Sequence, residues 1–155
     1  MTNIRISIRS ANVADLETIV SGNQRMAKET EGKSLDTETL TAGVAGLLSE
    51  PERGRYWLAV ADEQPVGQIM VTKEWSDWRN GFFWWIQSVY VEPDWRQRGV
   101  FRALYQSVKT EALAQHAVGL RLYVEKANKS AIATYESMGM VDPGYRMMEE
   151  DFNED

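Results

Sequence analysis

The chain has 155 residues, 43% of them hydrophobic and 26% charged, with a formal net charge of −6. This length suits one domain with a sizeable core, while the negative charge disfavours nucleic acid as a partner because phosphate contacts need clustered cations. The absence of cysteine and the single histidine exclude disulfides, thiolate or histidine-cluster metal sites and cysteine nucleophiles, and we predict no metal site. No apolar run spans a bilayer and no secretory hydrophobic region is present, so we expect no membrane partner and a cytoplasmic location.

The first half of the chain predicts a strand, two helices and three further strands. Residues 4–9 alternate apolar and polar side chains, which is typical of a strand. Asn12 is the expected start of one helix, and a second helix starts near Asp36 or Thr37. The Asn80-Gly81 pair predicts the hairpin turn between the last two strands. The three strand-like runs cover residues 55–61, 66–75 and 82–91.

The second half of the chain predicts two helices, and each is followed by a strand. The first helix runs from Gly99 to His116, with one apolar stripe. A short strand over residues 120–125 follows, then a helix from Asn128 to Gly139 with an asparagine cap and a glycine stop. Residues 140–150 return as a last strand, and residues 151–155 form an acidic tail.

This order, β-α-α-β-β-β-α-β-α-β, predicts a mixed α/β sheet in a single domain over residues 1–150. We expect the strand at Val89–Val91 to run parallel to the strand at residues 122–124, because the helix between them makes a right-handed crossover.

The stretch "VEPDWRQRGVFRALYQSV", residues 91–108, combines a strand end, a basic turn and a helix start. A helix N-terminus presents backbone N–H groups and a partial positive charge, which together favour phosphate binding. Gly99 allows close approach of the backbone, and Arg96 and Arg98 add positive charge. The turn therefore predicts a site for a phosphorylated small ligand.

Two stretches, "SVYVEPDWRQRGVFRAL" and "LYVEKANKSAIATYESMGM", resemble the GNAT superfamily of acyl-CoA-dependent N-acetyltransferases. The first carries a form of that family's signature Arg/Gln-x-x-Gly-x-Gly/Ala, and the second repeats its spacing of Asn, Ala, Tyr and Gly. The resemblance covers nearly the whole chain. It implies a mostly antiparallel sheet with a splayed parallel strand pair, flanked by helices, and acetyl-CoA as cofactor. The residues it assigns to the cofactor are Val89, Val91, Arg96, Gln97, Arg98, Gly99, Val100, Phe101 and Asn128.

Phe101 departs from the signature, which has glycine or alanine at this position. Its spacing with Leu104 and Tyr105 predicts that the ring anchors the helix in the core, while its backbone N–H stays available to phosphate.

Tyr135 is the catalytic residue that the resemblance implies, as the general acid that protonates the departing thiolate. A phenol with a pKa near ~10 is a suitable donor to a thiolate whose thiol has a pKa near ~8.5. The structural alternative is a core aromatic packed with Ala131 and Met138. The general base stays open, since "FFWWIQS" contains no carboxylate; the alternatives are Glu74, Glu29, Glu31, or a water held by Gln87 or Ser88.

The stretch "KEWSDWRNGFFWW" is rich in tryptophan, and alternation places Trp84 and Trp85 on opposite faces of their strand. Alternation likewise predicts opposite faces for Gln87 and Ser88. An aromatic wall with nearby carboxylates suits a small cationic amine. The residues expected on the acceptor side are Glu29, Glu31, Glu74, Trp85 and Gln87. We therefore predict transfer of an acetyl group to a primary amine of a small molecule, with a homodimer left open. The alternatives are a protein or peptide N-acetyltransferase, and an acyl-CoA-binding module without transferase activity.

Overall fold

The computed structural model describes residues 5–153, which fall into two compact units that meet in sequence after Leu122. The strands of the first unit are β1 (Ile6–Ser10), β2 (Arg55–Ala61), β3 (Gln64–Ser76), β4 (Gly81–Val91) and β5 (Gly119–Leu122). Its α-helices are α1 (Leu16–Glu31), α2 (Thr37–Ser49) and α3 (Val100–Ala114), and short 3-10 turns cover Val13–Asp15 and Pro93–Trp95. The second unit contains α4 (Lys129–Ser137). That residues 1–150 act as one domain stays a prediction.

Side chains cap two of the predicted helix starts, those of the 3-10 turn that leads into α1 and of α2. The Asn12 side chain accepts from the backbone N–H of Ala14 at 2.9 Å, and Asp15 accepts in return from the N–H of Asn12 at 2.9 Å. Asp36 caps α2 by accepting from the backbone N–H of Thr39 at 2.9 Å. These local contacts fix where α1 and α2 leave the preceding chain.

The five strands form one sheet in sequence order, antiparallel throughout except for the parallel pair β4–β5. The predicted mixed sheet and its parallel pair are thus confirmed. The paired segments are Phe83–Ile86 of β4 and Gly119–Leu122, so the parallel ladder ends before Val89–Val91. A side chain at Gly119 would lie within 2.8 Å of the Phe83 ring, so close packing of that ring holds β5 at this end of β4.

Each face of the sheet packs against helices and makes part of the core. On one face, α3 lies against β3 so closely that a Cβ on Gly67 would come within 2.9 Å of Val100 and 3.3 Å of Leu104. On the other face, the buried side chains of α1, α2 and β2 form a cluster. The members of that cluster are Ile19, Val44, Tyr56 and Leu58.

The last predicted strand is wrong, because residues 140–150 contain neither helix nor strand. The sequence Asp142-Pro143-Gly144 bends the chain: the Asp142 carboxylate accepts from the N–H of Gly144 at 2.8 Å, and Gly144 has a φ of 87°. Proline, which also lacks a backbone donor, and a left-handed glycine both interrupt an extended run. The regular elements of the described chain therefore end with α4.

Candidate active site

A bulge in β4 lies at the centre of the candidate site. Ile86 pairs with Val71 and Ser88 pairs with Met70, so Gln87 is an extra residue in the ladder. The Gln87 amide donates to the Thr72 hydroxyl at 2.9 Å, and Ser88 hydrogen bonds to the Tyr56 hydroxyl on the side of α1 and α2. Gln87 and Ser88 thus share a face, which corrects the alternation expected from sequence. A bulge also bends a strand and increases its twist.

Beyond the bulge, the backbone of β4 is open on one side. The N–H of Glu92 donates to the Val66 carbonyl at 2.9 Å. Because backbone direction alternates along a strand, Tyr90 also directs its backbone groups toward β3. Val89 and Val91 therefore direct theirs to the opposite side, where the Val91 carbonyl accepts from Arg96 Nε at 3.1 Å. Within residues 5–122, the ladder between β4 and β5 ends at Ile86, which leaves this edge available to an extended ligand.

The turn between β4 and α3 has two residues in left-handed conformation, Gln97 with φ of 61° and Gly99 with φ of 84°. A Cβ on Gly99 would meet no atom within 4 Å, so the backbone angle and not crowding requires glycine here. The helix has neither a side-chain cap nor an acidic residue in its first turn. Its first internal bond is donated by Ala103 to the Gly99 carbonyl, so the preceding N–H groups point out of the helix end. This end can hold an anion.

The buried anchor of the first turn of α3 is Val100, which is 1% exposed. Phe101 is only half-buried, with its ring centroid 6.3 Å from that of Tyr105. The Phe101 ring is therefore partly buried, and not fully in the core as expected. The helical stripe begins one residue earlier, at Val100, and continues through Leu104 and Val108.

Two ion pairs join α1 to the turn. Glu29 accepts from the two terminal nitrogens of Arg96 at 2.5 and 2.8 Å, and Arg25 contacts the Glu92 carboxylate. Both guanidinium groups lie near the Tyr90 ring, with Arg25 at 5.8 Å and Arg96 at 5.7 Å from its centroid. Hydrogen bonding to Arg96 lowers the pKa of Glu29.

The sequence assigns Glu29 to the acceptor and Arg96 to the cofactor, yet the structure brings the two together. The other basic residue of the turn, Arg98, is exposed and stacks on Trp95 at 5.0 Å.

On the α1–α2 side of the sheet, the predicted acceptor residues of β3 and β4 are neighbours. Glu74 accepts from Arg121 of β5 at 2.8 Å, and the same guanidinium lies 3.6 Å from the Phe83 ring centroid. Trp85, opposite Thr72 in the ladder, is partly buried on this face. Glu31 is exposed at the end of α1. The Arg121 guanidinium already occupies one oxygen of the Glu74 carboxylate.

The tryptophans separate into buried and exposed members. Trp84 is 1% exposed and packs on the α3 side, with its ring 6.2 Å from Trp57, so it faces away from Trp85 as expected. Trp75 and Trp78 are exposed near the hairpin tip.

A buried polar cluster next to the bulge was missed from the sequence. Asn23, 7% exposed on α1, donates to the Tyr56 hydroxyl at 3.0 Å. Burial raises the pKa of Tyr56, against the opposing hydrogen bonds of Asn23 and Ser88. The available signal was a polar residue four positions after Ile19 on the buried face of α1, and it connects that helix to the bulged part of β4.

The second unit contains the other two predicted site residues, Asn128 and Tyr135. Asn128 caps α4 by accepting from the N–H of Ala131 at 3.1 Å. Tyr135 is half-buried on α4, and burial raises the pKa of its phenol. The phenol therefore stays protonated at neutral pH, as a proton donor must.

Residues 5–153 contain neither a metal-binding cluster nor a membrane-spanning helix. No group of three potential side-chain ligands comes together in a way that could hold a metal ion. No helix in that range has the length and apolar character to cross a membrane.

The sequence model of the acetyltransferase (GNAT) family matches residues 17–140 of the chain. The chain belongs to this family. Members of the GNAT family bind acetyl-CoA or CoA, and the match spans the bulged strand, the turn and both helices that come after it. A search of curated proteins found no match.

Solved structures agree with the GNAT assignment. A protein of Clostridium difficile 630, described as "a possible acetyltransferase", is 48% identical, with a TM-score of 0.88 over 94% of this chain and 97% of that one. An integron cassette protein from the Cole Harbour salt marsh metagenome is 22% identical, with a TM-score of 0.85 over 96% and 91%. An aminoglycoside N-acetyltransferase in complex with CoA is 15% identical, with a TM-score of 0.80 over 97% of each chain. At these lower identities the last two show the shared fold.

Proposed function

We propose that this GNAT protein transfers the acetyl group of acetyl-CoA to a primary amine of a small molecule. The observation that carries the proposal is the uncapped start of α3 beside the open edge of β4. The N–H groups at Val100 and Phe101, after the left-handed Gly99, would hold the diphosphate. The backbone groups of Val89 and Val91 would pair with the amides of the pantetheine arm.

Bound acetyl-CoA supplies a thioester, whose carbonyl carbon an amine can attack. Tyr135 is proposed to hold the proton that the departing thiolate needs, since its phenol stays protonated at neutral pH. Asn128, the cap of α4, is proposed to contact the cofactor as well. Since Glu74 is held by Arg121, we assign proton removal from the amine to a water at the bulge, beside the polar side chains of Gln87 and Ser88.

The acceptor is proposed to lie along the α1–α2 side of β3 and β4. Trp85 offers an aromatic surface and Glu74 a carboxylate, which together suit a small amine that carries a positive charge. Gln87 adds a polar side chain at the bulge.

The test begins with acetyl-CoA binding, measured as a rise in melting temperature. Ligand at about one hundred times its Kd stabilises by about 2.7 kcal/mol, which for this size is a rise of roughly 5–11 °C. Gly99→Val should abolish the rise, because a β-branched residue resists a φ of 84°. Gly99→Asn is the matched control, since asparagine tolerates this conformation, and most of the rise should remain. An undiminished rise in Gly99→Val would place the cofactor elsewhere.

Transfer itself is tested by the release of CoA in the presence of a panel of amines and peptides. Release with small amines supports the proposal. Release with peptides alone would make the protein a peptide N-acetyltransferase. Binding of acetyl-CoA with no release for any acceptor would leave an acyl-CoA-binding module.

A further inference from the structure

Glu29 occupies the side of Arg96 that a phosphate would use. Arg96 donates from Nε to the Val91 carbonyl at 3.1 Å, and from its two terminal nitrogens to Glu29. The guanidinium is thereby fixed in the turn that precedes α3. Its two outward nitrogens are held by a carboxylate 67 positions away in sequence.

A carboxylate and a phosphate compete for this position because both accept two parallel hydrogen bonds from a guanidinium. The side chains of Arg96 and Glu29 are 42% and 41% exposed. Ion pairs with this exposure are weak, and little desolvation opposes their exchange. Arg98 offers no equivalent arrangement, since it stacks on Trp95.

The position of Glu29 in α1 makes its carboxylate poorly stabilised once Arg96 is lost. Glu29 lies in the last turn of that helix, where the helix dipole disfavours a negative charge. A carboxylate released there stays exposed to solvent and can pair with another cation. The neighbouring pair between Arg25 and Glu92 also joins α1 to the turn, so the helix keeps one attachment when the other opens.

We propose that Glu29 occupies Arg96 in the absence of cofactor, and that the diphosphate of CoA displaces the Glu29 carboxylate when it binds. This inference rests on the proposed function. No covalent bond changes in the exchange. Arg96 keeps one doubly hydrogen-bonded anion throughout, first Glu29 and then the diphosphate.

The test compares Kd values for CoA by calorimetry in the full chain. Glu29→Gln removes the competing charge with almost no change of shape, so CoA should bind about two- to fivefold more tightly, the range expected for loss of one exposed ion pair. Pantetheine, which lacks the diphosphate, should bind the variant and the wild type equally. In an Arg96→Gln background, Glu29→Gln should no longer tighten CoA binding.

Glu92→Gln is the matched control, because it breaks the other ion pair between α1 and the turn and leaves Arg96 untouched. Equal tightening by this control would mean that loosening of α1, and not competition, improves binding. Unchanged or weaker CoA binding in Glu29→Gln, or equal tightening of pantetheine, would also overturn the exchange.

The outcomes for the exchange and for the proposed function are separable. Tightening with no acetyl transfer to any amine would keep the exchange and reject the transferase. Acetyl transfer with an unchanged Kd for CoA in Glu29→Gln would keep the transferase and reject the exchange. Absence of CoA binding in every variant would reject both.

Discussion

Gly67 is buried in β3 beneath the first turn of α3, and replacing it with alanine tests how tightly that helix is seated. The added Cβ would lie 2.9 Å from a methyl carbon of Val100 and 3.2 Å from the Tyr90 carbonyl oxygen. Carbon atoms prefer separations of about 3.5 Å or more, so Val100 has to move by about 0.6 Å. The Tyr90 carbonyl belongs to the backbone of the adjacent strand and yields less easily.

The expected cost results from two opposing contributions. Overpacking of a filled core costs about 1–3 kcal/mol, while the loss of glycine flexibility in the unfolded chain returns about 0.4–1 kcal/mol. Near the middle of these two ranges, the free energy of unfolding of Gly67→Ala should fall by about 1–2 kcal/mol. For a chain of this length, the melting temperature should fall by roughly 2–8 °C.

Urea denaturation and thermal melting measure this effect, with Gly43→Ala as the matched control. Gly43 lies inside α2 with no atom within 4 Å of an added Cβ. Alanine should there raise stability by up to about 1 kcal/mol, because it is the better helix former. If Gly67→Ala were as stable as the wild type while Gly43→Ala behaved as expected, α3 would not be seated tightly on β3. A weaker CoA affinity should accompany the loss, since Val100 also begins the proposed diphosphate site.

Two further variants test single side chains. Tyr135→Phe keeps the ring and removes the proton, so acetyl-CoA affinity should stay within a few-fold while the maximal rate of transfer falls by roughly 10²–10⁴; an unchanged rate would remove Tyr135 from the mechanism. Asp15→Asn weakens the partly buried pair with Arg9, in which two nitrogens donate at 2.8 Å, and should lower stability at pH 7 by about 1–3 kcal/mol. Hydrogen bonding to Arg9 lowers the pKa of Asp15 in the folded protein, so its stabilisation is present above the unfolded pKa of about 3.9 and is lost as pH falls through the folded value. Denaturation at pH 7 and about pH 3 should show the difference between wild type and variant shrinking in acid; a constant difference would contradict the ion-pair explanation.

Local signals explain most of what was predicted from the sequence. The cap at Asp36 and the strand at Arg55–Ala61 agree with the structure because both depend on near neighbours in the chain. The parallel register could not be predicted because it depends on the Phe83 ring over Gly119, a contact between residues far apart in the chain. No local sequence pattern predicts such a contact.

In the candidate site, too, features set by near neighbours could be predicted, whereas features set by contacts between distant residues could not. The turn and the start of α3 could be predicted from Gly99, whose left-handed backbone is a local property. The bulge at Gln87 is marked by no glycine or proline, and simple alternation therefore placed Gln87 and Ser88 on different faces. The pairing of Glu29 with Arg96 joins distant parts of the chain. Judged by residue type alone, Glu29 was assigned to the acceptor and Arg96 to the cofactor.

The bulge in β4 also determines how this sequence must be compared with others. Ile86 and Ser88 pair with consecutive residues of β3. Removing Gln87 would therefore leave all the remaining residues of β4 on their present faces. The core on both sides could be filled by a chain one residue shorter. A relative with a regular strand here must be aligned with a single gap at Gln87, because an ungapped alignment would exchange buried and exposed positions from there to Val91. The extra residue thus contributes curvature to the strand, and its presence or absence in a relative indicates whether the edge beside Val89 diverges in the same way.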